Sequence, residues 1–322
     1  MGGSGFAGRR LNAFAALLII VVAAASPVAG QSTLNYRSAP PRALVRASKT
    51  LPRAERAALA AAMIARKNEV LPALREAARS GDAAEKFFAC TMIAELRDHG
   101  GVDALLVATT DGDVKVRRRA ATALRILADR RSAPHLRKRL GSETDLGALK
   151  TIIAALGRIG DRRDVRRIEP WLAHADHGVR VVAASALAML GDERGVDLVV
   201  QATFSADPGV QKSATYALGL FASPLAAGRL QAILNDPNGA WKSYALIAQA
   251  ERGLAKQSTG DQIAALDALA RGRSRTLAEW AVDRLTDIGT ADAAAALRRA
   301  RDRQTPVGKL AARRLEAIEA RP

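Results

Sequence analysis

Four histidines and one cysteine, His99, His135, His174, His177 and Cys90, carry the side chains best suited to metal binding or nucleophilic chemistry in this chain. His174-Ala175-Asp176-His177 is the local cluster among them, and two imidazoles with a carboxylate between them are donor types that zinc accepts. The cluster falls in a turn between two helical segments, where Asp and His serve the backbone, so no metal is expected there. Glu279 and Asp283 flank Trp280 at helical spacing and are the acidic residues with a claim to acid or base work in a groove. No Gly-x-Ser-x-Gly elbow or phosphate-binding loop occurs in the sequence, nor a dinucleotide fingerprint in a strand–helix setting. A lone cysteine excludes an intramolecular disulfide. Cys90 stands where neighbouring units carry Ala, the position of a buried small apolar residue. A protein without catalysis, cofactor or metal is expected.

The elements that hold these residues repeat. One apolar position recurs as Ile93, Leu124, Leu156, Leu187, Leu218, Leu285 and Leu315. Four residues earlier stand Ala89, Ala120, Ile152, Ala183, Ala214, Ala281 and Ala311; three residues later stand Leu96, Leu127, Ile159, Leu190, Phe221, Ile288 and Ile318. Spacings of four and three place the three columns on one helical face. A second helix follows each turn, with Pro134 and Pro224 near two of the starts, where a missing N–H costs nothing. Asp113, Asp176, Asp207 and Asp236 precede first helices as N-cap or turn residues, and Gly157, Gly160, Gly191 and Gly195 read as helix ends and turns. One unit, 241–252, keeps Ala245 but puts Gln249 and Arg252 at the other two apolar positions; a distorted unit is expected. A hairpin of this kind cannot bury its stripe alone, and stacking buries it.

The units resemble HEAT repeats, of the short kind found in bacterial HEAT-like and phycobilin-lyase-type repeat proteins. The residues that carry the likeness are Asp113, Val116-Arg117, Ala120-Ala121, Ala123-Leu124 and Asp129, repeated as Asp176, Val179-Arg180, Ala183-Ala184, Ala186-Leu187 and Gly191-Asp192. The resemblance covers about 83–318 and implies an all-α fold, an α-solenoid of stacked helical hairpins. It also implies that Arg117 and Arg180 tie one repeat to the next, through turn residues such as Asp129, Asp161 and Asp192. HEAT-like di-iron hydroxylases use His-Glu dipeptides, and this chain contains none.

Composition agrees with an array of closely packed small helices: aromatics are 4% of the chain, and the formal net charge is +17. The excess of arginine suits an anionic partner or a solvated helix surface. At the N-terminus, Arg9 and Arg10 precede a largely apolar run over 11–25 and small residues, the pattern of a secretory signal or an uncleaved anchor. The expected organisation is a leader at 1–30, a linker at 31–41, capping helices at 42–81 and the repeat array at 82–322. Export to the periplasm or cell envelope follows from the leader, with membrane contact only through it.

In solenoids of this type the helix that starts Val-Arg lines the concave face. Its non-core positions include Phe88, Arg118, Arg119, Lys150, Arg158, Lys212, Tyr216, Tyr244 and Trp280, with Phe87, Glu279 and Asp283 beside them. Aromatic and Arg side chains of this type anchor protein interfaces. The expected function is a monomeric scaffold that holds a protein or peptide on this face. The alternative is a polyanion binder, for nucleic acid, anionic lipid or envelope polysaccharide, acting through a basic concave surface; HEAT-like DNA glycosylases are the family precedent.

Overall fold

The computed structural model describes residues 35–236, 239–302 and 305–319. The expected leader and residues 31–34 of the expected linker lie outside the described residues. Three helices open the chain: α1 (Pro41–Ala47), α2 (Arg53–Ala65) and α3 (Lys67–Ser80). Hairpins follow, each an inner then an outer helix: α4 (Ala83–Glu95) with α5 (Val102–Ala108), α6 (Val114–Leu127) with α7 (Ala133–Leu140), and α8 (Leu146–Ile159) with the short α9 (Val165–Ile168). Next come α10 (His177–Met189) with α11 (Val196–Ala202), α12 (Pro208–Ala217) with α13 (Pro224–Asn235), α14 (Lys242–Leu254) with α15 (Thr259–Ala270), and α16 (Arg275–Ile288) with α17 (Ala291–Arg301). The last inner helix is α18 (Pro306–Glu319).

Each inner helix packs on the next in the series α4, α6, α8, α10, α12, α14, α16, α18, and outer helices back them. The repeated columns are the core: Ala120, Leu124, Ala183, Leu187, Ala281 and Leu285 are all fully buried. Inner helices start from Asp side chains that accept backbone N–H bonds: Asp82, Asp113, Asp145, Asp176 and Asp207. Asp236 differs from expectation. It follows the last turn of α13 as its C-cap, while α14 starts at Trp241 without a side-chain cap.

Two glycines explain how closely inner helices approach. A Cβ on Gly157 would lie 2.6 Å from Ala186 Cα, and one on Gly219 would lie 2.5 Å from Ala248 O. Gly157 is therefore an interior contact between α8 and α10, not the cap its position near a helix end suggests. Gly219 lies in a 3-10 turn, Leu218–Leu220, that tightens the end of α12. The unit at 241–252 is a regular helix, so the expected distortion falls in the helix before it. In α14 the buried face moves onto Ala245, Ile247 and Ala248, and Arg252 donates to Phe221 O of the preceding unit. The core nevertheless divides at this helix: Ala245 and Ala248 belong with 181–248, whereas Leu254 belongs with the C-terminal cluster.

Polar ties between repeats differ in partner from the expected ones. Arg117 grips Glu143 with two bonds of 2.9 Å and the carbonyls of Asp111 and Gly112. Arg180 holds the carbonyls of His174 and Ala175. Asp129, Asp161 and Asp192 sit at the opposite end of the hairpins, where each chelates the Arg two residues on, Arg131, Arg163 or Arg194. The inter-repeat reach to those turns comes from outer helices: Arg75 to Asp98, and Arg137 to Asp161 and Asp164.

Burial alone would push the Glu143 carboxyl up. The bonds from Arg117, the Asp145 N–H and Arg139 outweigh burial and bring it to about 2. A carboxylate held lower in the folded than the unfolded chain stabilises above its unfolded pKa and loses that contribution as pH falls through the folded one. Glu143→Gln is expected to cost on the order of 3 kcal/mol at pH 7, with the gap from wild type constant between pH 5 and 8 and closing toward pH 2 in urea melts. A gap independent of pH would refute the tie. For Gly157→Ala, helix propensity would gain about 1 kcal/mol, whereas the collision with Ala186 costs about 1–3 kcal/mol. Denaturant midpoints should therefore fall; an unchanged or raised midpoint would show that α8 and α10 are not in backbone contact.

Candidate functional site

The array winds round until the last helix of the described residues meets the N-terminal helices: α18 packs on α2. Ion pairs cross the interior of that turn. Arg314 of α18 reaches Glu95 of α4 at 2.7 Å and Asp283 of α16 at 2.9 Å. Arg97 and Arg158 both reach Asp287, at 3.0 and 2.6 Å. The far repeats are thus joined through their inner faces.

The nine residues expected on an open concave face separate into two groups. Arg158, Tyr216 and Trp280 line one central, partly enclosed cavity of about 280 Å³. The others lie toward the N-terminal ends of the inner helices. There Arg119 lies over the Phe87 ring at 4.6 Å, beside Phe88. Lys212 lies over Tyr244 at 5.7 Å. Arg118 pairs with Asp145 and Lys150 with Asp176. The inner face is therefore not a uniform basic groove, because Arg118 and Lys150 each meet an acid of the next unit and Arg158 meets Asp287.

The cavity is built by helix C-termini. The last turns of α4, α6, α8 and α14 bring Glu95, Arg125, Arg158 and Glu251 to it, and α16 contributes Trp280, Asp283, Arg284 and Asp287. C-terminal turns carry partial negative charge, which arginines there offset. Arg97 shows what this placement costs. Its φ of 51° is left-handed, where the equivalent positions further along carry Gly191 and Gly289; a side chain there costs about 1–2 kcal/mol. In return its guanidinium bonds to Ile126 O at 2.8 Å and pairs with Asp287.

Burial raises the Tyr216 hydroxyl to about 12, with the Glu251 charge adding to it. Burial also raises Asp283, against the pull of Arg314 and Arg97. Almost half of the Asp283 side chain remains accessible, at 47%, so water tempers that rise. Glu279, the other acid beside Trp280, is held on its own helix by Arg275 at 2.7 Å. The pair offered as acid and base is thus absorbed by arginines. His174 Nδ1 accepts the Asp176 N–H, as a turn residue does. Among the described residues no group of three or more His, Cys, Asp or Glu side chains is placed to hold a metal. Cys90 is fully buried, and burial raises its thiol to about 12.

A second depression lies at the seam, between α2, α4 and α18. It measures about 680 Å³, with Ala57, Ala60, Ile64, Phe87, Phe88 and Met92 among its lining side chains, together with the cations Arg56, Lys115 and Arg313 and the acids Glu95 and Asp113. Sequence columns pointed to Phe87 and Phe88. Arg97, Arg125, Arg284, Asp287 and Arg314 were missed. Their one signal was charge at the ends of helices whose other copies end in Gly or apolar residues.

Stacked hairpins with a continuous run of inner helices define an α-solenoid, here wound nearly closed. The chain belongs to the HEAT-repeat family: its profile, described as HEAT repeats, matches residues 71–157, 108–180 and 165–250. No curated protein matches the chain in sequence. Among solved structures, the complex of CpcE and CpcF of phycocyanin lyase from Nostoc sp. PCC7120 is similar at 21% identity and a TM-score of 0.54, over 72% of this chain and 95% of that one. Human deoxyhypusine hydroxylase in complex with glycerol aligns at 17% identity and a TM-score of 0.37, over 81% and 99%. The first likeness supports the fold.

Breaking the closing ion pairs tests the winding. Arg314→Met leaves Glu95 and Asp283 facing each other and is expected to cost about 1–3 kcal/mol, less than a fully buried pair because both acids remain partly solvated. Small-angle scattering should report a larger radius of gyration, and hydrogen exchange should speed up in α16 and α18. If both measurements match wild type, the seam does not depend on this side chain.

Proposed function

We propose that this protein is a non-catalytic scaffold, exported to the periplasm or cell envelope, that holds an apolar segment of a protein partner in the groove between α2, α4 and α18. Export rests on the leader pattern of residues 1–30. The groove is the observation that carries the binding reading: its volume lies in the range of ligand clefts, and Phe87, one of the large apolar side chains left exposed, keeps 37% of its surface accessible there. Among the described residues, Lys115 and Arg313 have no acidic partner, so the rim favours a segment whose apolar centre is flanked by Asp or Glu. The HEAT-repeat architecture supplies a rigid wall for such a segment and needs no cofactor.

The polyanion reading keeps one supporting observation, at a different place from the one expected. Among the described residues, Arg130, Arg162 and Arg166 are exposed without acidic partners along the turn edge of successive units, outside the inner face. Two peptides sharing an apolar centre, one flanked by Glu and one by Lys, separate the readings by fluorescence anisotropy. The Glu-flanked peptide is expected to bind at least about tenfold more tightly and to lose most of that affinity with Phe87→Ser or Arg313→Glu. Equal binding of both peptides, or no effect of either substitution, would overturn the groove. Retention on DNA or heparin that vanishes at moderate salt and with Arg162→Glu plus Arg166→Glu would instead favour the polyanion.

A further inference from the structure

The central cavity holds more donors than acceptors, and every acceptor there is already engaged. Asp287 is shared by Arg97, Arg158 and Arg284. Glu95 and Asp283 are both taken by Arg314. Glu251 receives the Tyr216 hydroxyl at 3.5 Å and lies 3.5 Å from Arg284. Four carboxylates thus face five guanidinium groups, because Arg125 also lines the cavity.

Arg125 is the one left over. Among the described residues it has no carboxylate, carbonyl or ring partner. Burial lowers its pKa, and the like charge of Arg158 adds to the effect. The other unmet groups in the wall are donors too: Trp280 Nε1 and the Nε of Arg97 are buried without an acceptor, and the Arg284 Nε makes no hydrogen bond although Glu251 lies 3.5 Å away. Capping of helix ends accounts for Arg97, which reaches the Ile126 carbonyl, but it leaves Arg125 and the Trp280 N–H unexplained. Buried donors of native proteins find acceptors, and a cation beside another cation calls for an anion.

We propose that this cavity is a binding site for a small oxyanion, the carboxylate or phosphate group of a low-molecular-weight metabolite, received by Arg125 and the Trp280 N–H. A volume of about 280 Å³ lies at the small end of ligand sites, which excludes a polymer and admits a short acid or phosphate ester. Two walls limit its character. Tyr216 and Trp280 give a flat apolar surface, while Asp283 repels a second negative charge on its side. The bound anion would sit between repeats that are far apart in sequence, α6 and α16, and so would reinforce the closed winding. The site shares Glu95 with the seam groove, but neither proposal requires the other.

Calorimetric titration of the full chain with inorganic phosphate and, separately, malonate tests this at about 0.15 M salt, where exposed cations are screened beyond about 8 Å. Saturable one-to-one binding of either probe is expected, with Arg125→Gln weakening it at least about tenfold, the loss of one charge-assisted bond. Trp280→Phe should weaken it severalfold, while Arg166→Gln and Phe87→Ser leave it unchanged. Phosphate alone would assign a phosphorylated ligand, and malonate alone a carboxylic acid. Absence of saturable binding for both probes, or binding equally strong in Arg125→Gln and Trp280→Phe, overturns the site. Should Arg125→Gln fail to give a cooperative melt, Trp280→Phe decides, since it removes the indole N–H and leaves a smaller aromatic ring in the cavity wall.

Discussion

A two-helix hairpin of this sequence has more apolar surface than it can cover, and that single constraint organises the molecule. Ala120, Leu124, Ala183, Leu187 and their counterparts are fully buried only because a neighbouring hairpin lies against them. Small side chains make the contact close, and Gly157 and Gly219 bring helices to the distance at which a methyl group would collide with the next backbone. Tight packing between inner helices makes the array curve toward its inner face. Curvature of this degree brings the last repeat back to the first, so that α18 rests on α2.

Once the ends meet, the inner face ceases to be a single groove. Its C-terminal side becomes a cavity in which charges from distant repeats are forced together, and its N-terminal side stays open with Phe87 and Phe88. Concentrating five arginines in a partly enclosed space is unfavourable unless each finds negative charge. Asp287 answers three of them, and the left-handed backbone at Arg97 is strain accepted for one of those contacts. The chemistry of the centre therefore follows from the winding rather than from any one repeat.

Much was legible in the residues alone. Columns at spacings of four and three gave the helices, the inner face and the core, and Asp113, Asp176 and Asp207 marked true helix starts. Asp236 misled because an Asp closing one helix looks like an Asp opening the next. Gly157 misled for a related reason: close to a helix end, glycine as a cap and glycine as a packing contact leave the same trace. Arg117 was rightly seen as a tie between repeats, yet its partner is Glu143, a residue outside the repeated pattern.

The sequence by itself determined the repeating hairpin, because burial of a periodic stripe depends only on neighbours about 31 residues apart. It could not determine which inner residues face one another across the turn. Contacts such as Arg314 with Glu95, 219 residues apart, depend on the total curvature accumulated over every repeat, and small changes in each packing angle add along the chain. Only the tertiary structure therefore turned an expected open wall into a seam groove and an arginine-rich cavity.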